Sequence, residues 1–197
     1  MPVSLASAGG GSVTLTPAST ASAFTATLPA GTGTVAVQGV SSNIVQGTAV
    51  TSASGTSIDF TSVPSWAKRI TIMFAGISTN GSSQVQVQCI AGSAVTTGYA
   101  STTWEFYASS SSSTVGFNLD RAGGTVSAST TRSGTLVLTL LSPNIWTASG
   151  NIARTDNSYT TVVQGSISLG SALTGVRLTT VNGTDAFDAG AVNILYE

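Results

Sequence analysis

No charged side chain occurs before Asp59. The segment 1–58 must therefore fold, or dock, without a single ion pair of its own. Its β-prone pieces, 12–16, 24–28, 34–40 and 44–50, are separated by Gly, Pro and Ser. Uncharged strands with free edges pair with whatever strand they meet. These edges must be covered by the rest of the chain, by neighbouring copies, or by another protein. Residues 1–53 read as a mostly extended, uncharged attachment arm, and residues 54–197 as the folded domain.

Charge stays scarce throughout, with six basic and seven acidic side chains in 197 residues. Such a chain raises no field that would gather phosphate backbones or an anionic bilayer, so neither nucleic acid nor membrane is an expected partner. Ser and Thr number 31 each, beside 22 Gly, which favours strands and turns over helices. The lone Cys89 rules out an intrachain disulfide, so packing and backbone pairing must hold the fold. Residues 1–11 lack the basic and long apolar stretches of a secretory signal, and nowhere do eighteen apolar residues run together. The expectation is synthesis in the cytoplasm without a signal peptide.

Strand-like runs follow at 57–60, 69–74, 84–90, 103–107, 114–118, 135–141, 145–148, 160–169, 175–181 and 191–196, which suits an antiparallel β-sandwich or jelly roll. Alternation assigns the faces: Ile70, Ile72 and Phe74 share one side, and Val85, Val87 and Cys89 lie opposite Gln84, Gln86 and Gln88. Both faces of 135–141 are largely apolar, which predicts a core on one side and a subunit interface on the other. Asn80-Gly81 and Asn182-Gly183 are tight-turn dipeptides, and Ser109 to Ser113 reads as a flexible surface loop.

Residues 55–83 (GTSIDFTSVPSWAKRITIMFAGISTNGSS) and 176–197 (VRLTTVNGTDAFDAGAVNILYE), with 133–156 (SGTLVLTLLSPNIWTASGNIARTD) between them, resemble the β-rich C-terminal module of tail-fibre and related virion proteins of tailed phages and prophages. The resemblance implies a non-catalytic, virion-associated module that assembles as a homotrimer, with host recognition or particle decoration as its task. The module often closes a much longer protein, whereas here a short uncharged arm precedes it. No heptad stretch is present to build a coiled-coil shaft. A short tail fibre, a fibre tip or a capsid decoration protein is the expectation.

Chemistry is limited by the absence of histidine, which removes Ser-His-Asp and Cys-His pairs and HExxH zinc sites together. No cofactor motif and no metal motif is present; Asp185 and Asp188 in NGTDAFDAG read as turn and cap residues, since the pair lacks the ligand density of a Ca²⁺ loop. Cys89 falls on the apolar phase and reads as a small core residue rather than a reactive thiol. For a carboxylate-based polysaccharide depolymerase, Glu105 and Asp120 are the first suspects. For a host-surface glycan, Tyr107 and Tyr159 are the candidate receptor surface, while Trp66, Trp104 and Trp146 read as core.

Three functional readings stand in order: a homotrimeric tail-fibre or fibre-tip protein whose arm docks on another virion protein; a capsid decoration protein stapled to the head lattice; and, behind them, a depolymerase or a lone carbohydrate-binding module.

Overall fold

The computed structural model describes residues 3–6, 12–15, 44–106, 109–121, 123, 126–155 and 158–197. The chain divides into two compact units, Met1–Ala36 and Val37–Glu197. In the first, β1 (Val3–Ala6) pairs antiparallel with β2 (Ser12–Leu15), Val3 opposite Leu15. The expected strands at 24–28 and 34–40 lie outside the described residues.

The second unit holds β3 (Val45–Gln46), β4 (Val50–Thr51), β5 (Ser57–Thr61), β6 (Arg69–Thr79), β7 (Val85–Ala91), β8 (Ser93–Ala94), β9 (Tyr99–Glu105) and β10 (Ser110–Ser113). These are followed by β11 (Phe117–Asn118), β12 (Arg132–Ser142), β13 (Ile145–Arg154), β14 (Thr160–Ser168), β15 (Gly175–Thr180) and β16 (Phe187–Tyr196). Among the described residues there is no helix, and the strands form an all-β antiparallel sandwich. The larger sheet runs β10-β9-β14-β13-β12-β6-β16-β3, with β4 also on β16; the smaller runs β11-β7-β15-β5, with β8 on β7.

Alternation places the core as the sequence predicts. Ile70, Ile72 and Phe74 of β6, Leu136 and Leu138 of β12, and Trp146 and Ile152 of β13 are buried, facing Val85, Val87 and Cys89 of β7 and Val176 and Leu178 of β15. The outward positions of the larger sheet line up in rows across its strands. One row reads Trp104, Val162, Asn151, Thr135, Met73; the next reads Thr102, Gln164, Ser149, Val137, Thr71. Neither row contains a charge.

Two assignments differ from the sequence reading. Val45–Gln46 and Val50–Thr51, read as arm, are strands of the larger sheet: Gln46 pairs with Leu195, Val50 pairs with Val192, and the buried Ser52 donates its Oγ–H to Ala189 O at 2.6 Å. Their uncharged backbone covers the edge of β16. The serine run is no loop either, because Ser110 to Ser113 pair residue by residue with Trp104 to Ser101. A strand needs backbone partners more than it needs β-branched side chains, and β9 supplies them.

Gly76 (φ +64) and Gly190 (φ +92) sit where the β6–β16 ladder slips register. A Cβ on Gly190 would lie 2.4 Å from Gly76 O, whereas one on Gly76 would meet nothing within 4 Å. Gly76→Ala should therefore cost only the left-handed backbone term, about 1 kcal/mol. Gly190→Ala must also push the neighbouring strand aside, for a loss of roughly 3 kcal/mol in urea unfolding. Equal losses for the two variants would show that the close approach of the strands is relieved at no cost.

Candidate functional site

Glu105 and Asp120, the suspected catalytic pair, meet in the structure, but within a buried ion network. Glu105 closes β9, Arg132 opens β12, Arg154 closes β13, and Asp120 and Arg121 follow β11. Arg132 Nε donates to both Asp120 oxygens, at 2.7 and 2.8 Å. Arg154 Nη1 donates to Glu105 Oε1, and Arg154 Nε stands 3.7 Å from Asp120 Oδ1. On the other side, Arg121 Nε donates to Glu105 Oε2 at 3.2 Å.

Asp120 Oδ2 also accepts the backbone N–H of Val85 at 2.8 Å, so the network ties the larger sheet to the first residue of β7 in the smaller. Arg132 Nη1 donates to Thr130 O at 3.1 Å, while its Nη2 reaches no partner. Glu105, Asp120, Arg132 and Arg154 are all buried. As the network stands, every carboxylate oxygen is engaged and neither acid meets solvent, so neither is placed to protonate a glycosidic oxygen or to activate a water.

The network was legible only by carrying the alternation further. Arg132 is in phase with Leu136 and Leu138, and Arg154 with Trp146 and Ile152, so both point inward. The same phase corrects the reading of Trp104. The sequence reading places Trp104 in the core, yet Glu105 is the inward residue, and Trp104 and Phe106 are 55% and 52% exposed. The buried guanidiniums need a carboxylate more than the core needs another ring.

The remaining candidates scatter. Tyr107 lies outside the described residues. Tyr159 is half-buried, and its carbonyl accepts the Arg154 N–H at 2.8 Å. Trp66, expected in the core, is 44% exposed and leans on Tyr196 with ring centroids 5.6 Å apart; Trp146 is buried as expected. Asp185 accepts the Ser83 N–H at 2.9 Å and the Asn182 Nδ2–H at 2.6 Å, and Ser78 Oγ donates to Asp188, so both acids brace turns and strands.

Cys89 is buried, and its backbone N–H donates to Tyr99 Oη at 2.7 Å. Burial pushes the thiol up to about 12, against the smaller lowering effect of the Tyr99 hydrogen bond. Burial likewise raises the Tyr99 phenol, reinforced by the charge that Cys89 would carry as a thiolate. A neutral thiol without a base is a weak nucleophile.

What the surface of the larger sheet does offer is a shallow depression of about 480 Å³ lined by Thr102, Trp104, Phe106, Val162 and Gln164. A scan against family models, a search of curated proteins and a search of solved structures each return no match to the chain.

Two tests follow from this geometry. Asp120→Asn leaves buried guanidiniums without their counter-charge and should cost roughly 3–5 kcal/mol. Asp59→Asn, which breaks the exposed Asp59–Arg177 pair, should cost under about 1 kcal/mol; urea midpoints separate the two, and a mild Asp120→Asn would mean that water replaces the carboxylate. The second test is alkaline. Because the folded thiol titrates near 12 rather than 9.0, the unfolded chain releases its proton first as pH rises. Stability should fall between those values by up to about 1.4 kcal/mol per pH unit from this group. Cys89→Ala should flatten that part of the profile, and an unchanged slope would remove Cys89 as its cause.

Proposed function

We propose that the chain is a non-enzymatic structural module of a tailed-phage virion, a short tail fibre or fibre tip, that works as a closed homotrimer. The observation that carries this reading is the outer face of the larger sheet. From β9 across β14 and β13 to β12, its outward side chains are uncharged, over a width of roughly 15 Å at about 4.8 Å per strand. Trp104 and Phe106 stand exposed at one side of it.

Charge depletion with aromatic enrichment is the composition of an interface centre rather than of ordinary surface. No register of two such faces brings like charges together, so copies of the same chain are fitting occupants. Closed symmetry also hides the serine edge of β10, which bears neither charge nor proline to discourage pairing. The resemblance to virion modules supplies the setting, and the uncharged arm is then the contact to another virion protein.

The second reading, a capsid decoration protein held by its arm, is favoured by one observation: residues 1–36 form a compact unit of their own. It uses the same sandwich with the attachment moved to the head lattice.

Light scattering on the full chain should give three times the monomer mass. Trp104→Glu with Phe106→Glu should reduce it to one, with an unchanged far-ultraviolet spectrum. A monomeric parent chain, or a trimer indifferent to both charges, would overturn the assignment of this face. Loss of the protein from the heads but not the tails of fractionated particles on arm deletion would favour decoration.

A further inference from the structure

The outer face of the smaller sheet has a different character. Its outward positions are polar: Gln86 and Gln88 of β7, Arg177 and Thr179 of β15, and Ser57 and Asp59 of β5, with Gln88 opposite Arg177 and Gln86 opposite Thr179. A concavity of about 400 Å³ opens there, walled by Thr96, by Val115, and by the turn at Asn182 and Gly183.

Its polar groups are held in place by bonds that leave other atoms free. Arg177 is fixed by a two-pronged pair to Asp59, Nε and Nη2 each at 2.7 Å, which leaves Nη1 with no partner among the described residues. The Asp59 hydrogen bond holds the guanidinium charged and cancels that charge locally. Gln88 is buried, and its Nε2 donates to Val115 O at 2.8 Å, while its Oε1 accepts nothing. Gln86 is buried too; its Nε2 reaches Thr180 O at 3.4 Å, and its Oε1 has no partner.

Gln86 Oε1 is sealed from solvent and out of a ligand's reach, whereas Gln88 Oε1 is open and can take a donor. Beside it stands a guanidinium with N–H groups to give, so a ligand must both donate and accept at close spacing. The neutral balance of the concavity discriminates against strongly charged ligands. Val115 and the exposed Val181 add a little apolar surface at its border. Neighbouring hydroxyls on a sugar ring meet all of these demands at once.

We infer that this concavity is a binding site for a neutral saccharide, read by Gln88 Oε1 and Arg177 Nη1 from adjacent strands. The site rests on and deepens the fibre-tip reading, yet it is complete within one chain and on the opposite sheet from the proposed trimer face. A monomer that binds sugar, or a trimer that does not, would separate the two. With so little apolar contact each site is weak, and repeated copies would raise the working affinity.

The test is an array of neutral and anionic oligosaccharides probed with the labelled full chain. Retention is expected on neutral glycans. Arg177→Ala should lower it by roughly tenfold or more through loss of a charged donor. Thr96→Trp, at an exposed loop position, should lower it by filling the concavity, and both variants should melt within a few degrees of the parent. For a glycan that is retained, the side-chain amide resonances of Gln88 should shift on its addition. Retention of no neutral glycan, retention of anionic ones alone, or binding unaffected by both variants would overturn the inference.

Discussion

The ion pair between Arg132 and Asp120 is the constraint on which the rest of the sandwich depends. Apolar alternation fixes which face of a strand is buried, and hence its register, only where the two faces differ. In β12 they differ little: Leu136 and Leu138 are buried, but Val137 and Leu141 stand on the other side, Leu141 70% exposed. A slip of one residue would exchange one apolar set for another at modest cost. It would also turn Arg132 outward and Ser133 inward, stranding Asp120 and breaking the hold on the Val85 N–H. A buried charge pair adds little net stability over a well-packed apolar pair, but it penalises the wrong register heavily. In a chain of Ser, Thr and Val with few other distinguishing side chains, that penalty has most to decide.

The same logic separates what was legible in the sequence from what was not. The core phases of β6 and β7 could be read because their two faces contrast sharply, Ile and Phe against Thr and Met, Val and Cys against Gln. Trp104 was assigned to the wrong side because single-residue hydrophobicity puts a ring inward and a carboxylate such as Glu105 outward. The partners that reverse this preference, Arg154 and Arg121, are distant along the chain, and nothing local announces them. Strand extent was also hidden: β13 continues to Arg154 through Ser149, Gly150 and Asn151, residues with low strand propensity that are held by pairing on both sides. The arm boundary failed for a related reason. Absence of charge marks a segment that must be covered or must cover something, and residues 45–51 do so within their own domain, along β16.

Where the charges went explains the character of the surfaces. The network of Glu105, Asp120, Arg121, Arg132 and Arg154 takes five of the thirteen charged side chains into or beside the core. Asp59 and Arg177 form a further pair at the smaller sheet, and Arg69 with Glu197 ties the start of β6 to the end of the chain. What remains cannot protect the larger sheet by repulsion. The outer face of its β12-to-β9 half is left uncharged. The opposite sheet carries a paired charge on its edge strand β5, a common means of discouraging strand addition, and its polar residues are enclosed by loops rather than spread flat. The proposed self-contact face and the proposed saccharide site thus lie on opposite sheets. The two roles do not compete for residues.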